Sequence, residues 1–222
     1  MNGYGSDDVR QQLCRIAGKL CQRGLVAGPG GNISAREGGS MFISPSGYAL
    51  DDVTPEGWVE VDVQSGAVVS GARPSSEVLM HLQLYRKRPD VHAIVHTHPV
   101  YCIGVISAGR DIPVMFADHT ALLGELPCLD YVLPTSAELA DRVEQAIGAA
   151  AGVLLRNHGA VTVGATLKEA YFRTEILEDA AKVFVIASLM GAPRVLGSAE
   201  CAEVQALESE EYRVGLLQRM KG

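Results

Sequence analysis

Ala93-Ile94-Val95-His96-Thr97-His98-Pro99 restricts the fold of this 222-residue chain more than any other stretch. The apolar run reads as a strand, and Pro99 ends it. Side chains along a strand alternate between faces, so residues two apart share one. His96 and His98 then project together at the mouth of the strand, close enough to bind one cation. A lone His-x-His has many innocent causes, so the pair alone leaves metal binding and ordinary packing both open.

The surrounding pattern supplies layers for such a strand. Val9, Leu13, Ile16, Ala17 and Leu20 recur at helical spacing, with Ser6 as N-cap and an end near Gly24. Short strands are expected over 32–36, 41–44, 59–62 and 67–70, with hairpin turns at Gly38-Gly39 and Ser65-Gly66. A helix should start at Ser75 or Ser76 and stop before Pro89. Another starts within 101–105, a strand covers 112–116, and a third clear helix covers 137–147. Strands at 152–155 and 160–163 flank Asn157-His158-Gly159. Thr166 with Glu169 reads as a capping box for a long helix to about Met190, stopped by Gly191 and Pro193, and a last helix spans 199–218. With no repeat and no low-complexity linker, we expect residues 1–222 to form one α/β layered domain.

Composition narrows the partners. The formal charge is −7, and the only basic cluster, Arg86-Lys87-Arg88, reads as a solvated helix end. Nucleic acid is therefore not an expected partner, since phosphate backbones call for basic stripes. No run of about 18 apolar residues predicts a membrane span. Met1 to Arg10 is too polar for a signal peptide. Cys14, Cys21, Cys102, Cys128 and Cys201 form no CxxC pair, which fits reduced, mostly buried thiols in a cytoplasmic protein.

Other residues could join the histidine pair. His158 ends an apolar strand and needs a partner there, either a metal or the backbone. Three histidines with an open position would make a catalytic-type site. Glu77 lies in the first turn of its helix, as an acid/base beside the metal or simply as a carboxylate complementing the helix N-terminus. His81, one turn on, reads as structural, and His92 as exposed. Gly30-Gly31-Asn32, Ser44-Pro45-Ser46-Gly47 and Ser75-Ser76 offer backbone N–H groups and small donors, for an anion or as ordinary turns and caps. No Walker loop or dinucleotide fingerprint occurs.

Gly31-Asn32-Ile33-Ser34, Ser44-Pro45-Ser46-Gly47, Pro74-Ser75-Ser76-Glu77, His96-Thr97-His98-Pro99 and Asn157-His158-Gly159 follow one another in this order. Their order and spacing over Leu13 to Leu196 resemble the class II aldolase/adducin-like family of metal-dependent aldolases, epimerases, dehydratases and decarboxylases. The resemblance implies a three-layer α/β/α sandwich around a largely antiparallel, mixed sheet. It implies His96, His98 and His158 as ligands of Zn²⁺, or of Mn²⁺, Co²⁺ or Fe²⁺, one ion per subunit. Glu77 would be the acid/base and could itself ligate the metal in the empty enzyme. Asn32, Ser46, Gly47, Ser75 and Ser76 would hold a substrate phosphate. The usual assembly is a homotetramer with active sites between subunits.

The implied reaction is retro-aldol cleavage of a short ketose phosphate to dihydroxyacetone phosphate and an aldehyde, through an enediolate. The alternative is decarboxylation of a 3-oxo or aromatic acid. The family's epimerases carry Asp where this chain has Glu77, which disfavours epimerisation, and dehydration is also less favoured. The family's aldolases place a tyrosine shortly after an Ile-Pro pair; counting from Ile112-Pro113, this chain has Ala117 there. Asp118, His119 or Tyr212 would then have to serve on the aldehyde side. A non-catalytic, adducin-like module is the option from a different class, and the intact histidines and Glu77 argue against it.

Overall fold

Apolar residues at successive strand positions demand cover on both faces of a sheet, and helices supply it. The computed structural model describes residues 8–219. Helix α1 (Val9–Gln22) buries the five residues named above. The proposed cap Ser6 lies outside the described residues, and the Asp8 carboxylate caps the helix through the Arg10 N–H.

Strands β1 (Asn32–Glu37), β2 (Ser40–Ile43), β3 (Val59–Asp62) and β4 (Val68–Ser70) precede helix α2 (Val78–Lys87). Strand β5 (Ala93–Thr97), helix α3 (Val100–Ser107), strand β6 (Cys128–Leu129) and helix α4 (Ala137–Ile147) follow. Strands β7 (Gly152–Leu155) and β8 (Gly159–Gly164) lead into helices α5 (Leu167–Met190), α6 (Ser198–Gln205) and α7 (Glu208–Arg219). The strands form one sheet in the order β4-β3-β2-β1-β5-β8-β7-β6, antiparallel except for β6 with β7.

Parity sorts the two faces. Ile94 packs with Met80, Leu84 and Tyr85 of α2 and with Val143 and Ile147 of α4. Ala93 and Val95 pack the other way, against α1 and Leu167, Ala170 and Tyr171 of α5. A third cluster joins α3 to α5 through Cys102, Ile106, Leu177 and Phe184. The result is the expected mixed α/β sandwich. His96 shares the parity of Ile94, so it lies on the side where α2 begins.

Several expectations need correction. Residues 112–116 form no strand; Pro113 lacks a ladder donor, and Ile112 and Met115 bury themselves against the α3–α5 cluster instead. The C-terminal helix is two helices. The first closes at Ala206, and a new hydrogen-bond series starts from the Leu207 carbonyl, with Glu208, Glu210 and Glu211 in the first turn of α7 suiting its positive end. Of the cysteines only Cys102 is buried, and the other four are half-buried free thiols. The capping box also differs in detail: Thr166 caps α5, while the Glu169 carboxylate reaches the Ala165 N–H.

The Arg86-Lys87-Arg88 cluster is spent on structure. Arg86 bonds the Val63 and Gln64 carbonyls, Lys87 pairs with Glu144, and Arg88 pairs with Asp90. No helix among the described residues is long and apolar enough to cross a membrane.

Candidate metal and acid–base site

The strand parity that places His96 beside α2 also sets its neighbours. Asn32 of β1 is paired with His96 of β5, and Val161 of β8 flanks His96 on the other side. The His96 Nδ1 faces the Ala160 carbonyl at 3.0 Å. A carbonyl only accepts, so Nδ1 carries the hydrogen and Nε2 is the atom turned toward the other histidines.

That nitrogen lies 3.2 Å from His98 Nε2 and 3.1 Å from Glu77 Oε2. His158 Nε2 lies 3.6 Å from Glu77 Oε1. All three histidines offer a nitrogen within 4.8 Å of one another. Bonds of about 2.0–2.1 Å to a tetrahedral ion put neighbouring nitrogens about 3.3 Å apart, so the spacing suits a shared cation. Glu77 Oε1 is buried without a hydrogen-bond partner, as is His158 Nδ1. The group could hold one divalent metal ion.

Local backbone explains the convergence. Asn157 takes φ 59°, a left-handed turn that Asn tolerates, and the His158 N–H closes it on the Leu155 carbonyl. Gly31 has φ 74°, and a Cβ there would sit 2.6 Å from Val26 and 2.8 Å from the His96 carbonyl. Glu77 stands just before α2, not in its first turn as expected from sequence; its N–H bonds Ser75 Oγ at 3.3 Å. Burial alone would raise its carboxyl, but His96, the Asn32 amide and His158 outweigh it and hold the group well below the usual carboxylate range. Burial, together with His96, pushes His98 and His158 down to about 4. Both rings are therefore neutral through the physiological range.

His81 is fully buried between Ser34 and Asn32, and burial, with His96, pushes it down to about 3 from 6.5. The unfolded chain takes up this proton below about pH 6.5 and the folded one does not. Stability of the metal-free protein should therefore fall as the pH drops from about 6.5 towards 3, by up to about 1.4 kcal/mol per pH unit from this one group. Urea unfolding of chelator-treated protein at pH 7 and pH 5 measures it, and a flat profile would contradict a neutral His81.

The glycine- and serine-bearing loops are zipped together. Pro45 and Pro74 form an isolated bridge, the Ser46 N–H bonds the Arg73 carbonyl, and the Ser75 N–H bonds the Ser44 carbonyl. The two loops are thereby joined just ahead of Glu77 in the chain; Gly47 and Ser76 are exposed, Ser46 is half-buried and Ser75 is buried. Asn32 Nδ2 donates one hydrogen to Glu77 Oε2 at 2.9 Å and has a second to offer.

Residues 11–185 match the model of the class II aldolase and adducin N-terminal domain. The chain belongs to this family. It is 34% identical over 172 residues to an L-fuculose phosphate aldolase of Methanococcus maripaludis, covering 78% of this chain and 92% of the relative. It is 31% identical over 182 residues to a 3-oxo-tetronate 4-phosphate decarboxylase of Cupriavidus necator, covering 80% and 83%. A solved L-fuculose 1-phosphate aldolase, 31% identical, matches with a TM-score of 0.85 over 94% of this chain and 98% of that one. The chain is accordingly a class II aldolase-type enzyme, a lyase in its relatives' class.

In this class II aldolase chain, Asp118, His119 and Tyr212 are not part of the histidine group. Asp118 pairs with Arg213 of α7 at 2.8 Å. His119 is buried in a short helical turn, His119–Leu123, against Phe116. Tyr212 is 66% exposed on α7. The reading by motif also missed that His81, Ser34 and Tyr85 connect to Glu77 through Asn32. The period-2 pattern of Asn32 and Ser34, matched to His81 and Tyr85 one turn apart on α2, was the available signal.

Proposed function

We propose that this chain is a divalent-metal-dependent aldolase that cleaves a short ketose phosphate to dihydroxyacetone phosphate and an aldehyde. One observation carries the reading: three imidazoles converge on Glu77, which is tied through one carboxylate oxygen and free at the other. His96, His98 and His158 would hold the ion, Zn²⁺ first or else Mn²⁺, Co²⁺ or Fe²⁺, one per subunit, with Glu77 as a further ligand before substrate arrives. When bound, the cation polarises the ketone and offsets the charge of the enediolate.

The chain's own groups do the rest. Ser46, Gly47, Ser75, Ser76 and the second Asn32 hydrogen receive the phosphate. Cleavage breaks the bond between the ketone's α-carbon and the hydroxyl-bearing carbon, whose hydroxyl proton is lost as the aldehyde forms. The electron pair stays on the three-carbon fragment, and Glu77 delivers a proton to that carbon. In the reverse direction Glu77 removes it. Asp118 or His119 would serve the aldehyde side in place of the family tyrosine, and Tyr212, exposed on α7, would reach a neighbouring subunit's site in a homotetramer. Residues 1–222 as one domain and a cytoplasmic location belong to the same reading.

A second reading is favoured by Ala117 and by the decarboxylase relative. Loss of CO₂ from a 3-oxo-tetronate 4-phosphate leaves the same three-carbon enediolate, which Glu77 would protonate to dihydroxyacetone phosphate. Incubation with L-fuculose 1-phosphate, other ketose 1-phosphates and 3-oxo-tetronate 4-phosphate separates the two. An aldehyde with dihydroxyacetone phosphate supports the aldolase, and CO₂ supports the decarboxylase.

Ser76→Ala should raise KM for the phosphorylated substrate about 10-fold, the loss of one hydrogen bond to a charged group. An unphosphorylated analogue should be affected little. Equal effects on both, measured by steady-state kinetics, would contradict the phosphate cradle.

A further inference from the structure

Glu77 is the end of a buried chain of hydrogen bonds that starts some way from the metal-ligand group. Tyr85 Oη meets Ser34 Oγ at 2.8 Å, and Ser34 Oγ meets His81 Nδ1 at 2.7 Å. His81 Nε2 meets Asn32 Oδ1 at 2.7 Å, and Asn32 Nδ2 meets Glu77 Oε2 at 2.9 Å. Tyr85, Ser34 and His81 are at most 1% exposed, Asn32 5% and Glu77 7%.

The direction of every bond can be fixed. An amide oxygen facing the Glu77 carboxylate would set two acceptors together, so Asn32 must present Nδ2 there and Oδ1 to His81. Oδ1 only accepts, so His81 Nε2 carries a hydrogen. Burial keeps the ring neutral, which leaves Nδ1 bare to accept from the Ser34 hydroxyl. Ser34 Oγ in turn accepts from Tyr85. Each donor points toward Glu77, and an aligned chain of this kind polarises its members in one sense.

The placement is equally directed. Asn32 and Ser34 sit two apart on one face of β1, and His81 and Tyr85 sit one turn apart on α2. The chain therefore stitches the strand that borders His96 to the helix whose N-terminal end carries Glu77. It occupies one carboxylate oxygen and leaves Oε1, which has no hydrogen-bond partner, facing His158.

We propose that Tyr85, Ser34 and His81 are positioning residues that act through Asn32 to hold Glu77 by one carboxylate oxygen and present the other for proton transfer. The inference rests on the acid/base reading of Glu77. It assigns a role in turnover to Tyr85, which touches neither the histidine group nor the phosphate cradle.

The test uses the metal-loaded full chain and exchange of the α-proton of dihydroxyacetone phosphate with D₂O, followed by proton NMR. Tyr85→Phe keeps the ring and removes only the first donor. It should retain full metal content and an unchanged KM for dihydroxyacetone phosphate, with kcat for exchange down about 2- to 10-fold, as for one lost neutral hydrogen bond. His81→Gln, which can still donate to Asn32, should retain more exchange than His81→Leu. A readout independent of activity is the ¹³C resonance of the Glu77 carboxyl in metal-free protein, assigned by its loss in Glu77→Gln. It should move in Tyr85→Phe. An unmoved resonance with unchanged kcat would overturn the proposal and leave Tyr85 a merely stabilising residue, as would a loss of activity that only tracks lost metal. Wild-type exchange in Glu77→Gln would instead sink the acid/base reading, a separate and distinguishable failure.

Discussion

Glu77→Gln should keep its cation and lose about 10²- to 10⁴-fold in turnover, the usual contribution of a positioned general acid/base. The substitution preserves shape and volume, and the amide can still accept from Asn32 Nδ2. What it cannot do is take up and return a proton at the free oxygen. The three imidazoles remain, so metal content measured by mass spectrometry should stay near one ion per chain. Turnover at the wild-type rate would remove Glu77 from the reaction. Loss of metal would show that its carboxylate is chiefly a ligand.

His98→Ala should abolish metal binding and activity together. Three nitrogens meet in the space between β5, the loop before β1 and the turn before β8, and two of them cannot complete the site. The glycines that flank His98 offer no replacement side chain: a Cβ on Gly30 would come within 2.9 Å of its Nδ1, and one on Gly159 within 2.8 Å of its Cδ2. His98 is only half-buried, so the variant should fold, with a circular dichroism spectrum like the wild type. A folded variant that still takes up a full equivalent of cation would contradict the three-histidine assignment.

How much of this was legible beforehand depended on the range of the signal. The apolar run around Ile94, whose side chains alternate between faces, and period-3.6 spacing in α1, α4 and α5 set the layers, because burial is written locally. The His96 and His98 pairing followed from the same alternation. His158 did not, since it reaches the pair only through the left-handed turn at Asn157 and the β7–β8 hairpin. The strand expected at 112–116 failed because an apolar run records burial and not the partner that buries it. Two-residue β6 is too short to leave a pattern. The division between α6 and α7 at Leu207 interrupts a run with no proline or glycine at the break.

Asn32 shows the limit most clearly. The motif around it marked a phosphate contact, and the structure gives its amide two buried partners, His81 and Glu77, that lie 49 and 45 residues away in the chain. Long-range pairing of that kind is set by the register of β1 with β5 and by the approach of α2, neither of which is written in a short window.

Metal-dependent proton transfer is the centre of the account, and exchange of the dihydroxyacetone phosphate α-proton into D₂O tests it most directly. Chelator-stripped protein should show no exchange above the buffer rate, and one equivalent of Zn²⁺, Mn²⁺ or Co²⁺ per chain should restore it in the wild type but not in His98→Ala or Glu77→Gln. Equal exchange with and without metal, or none in folded protein carrying its full equivalent, would contradict it.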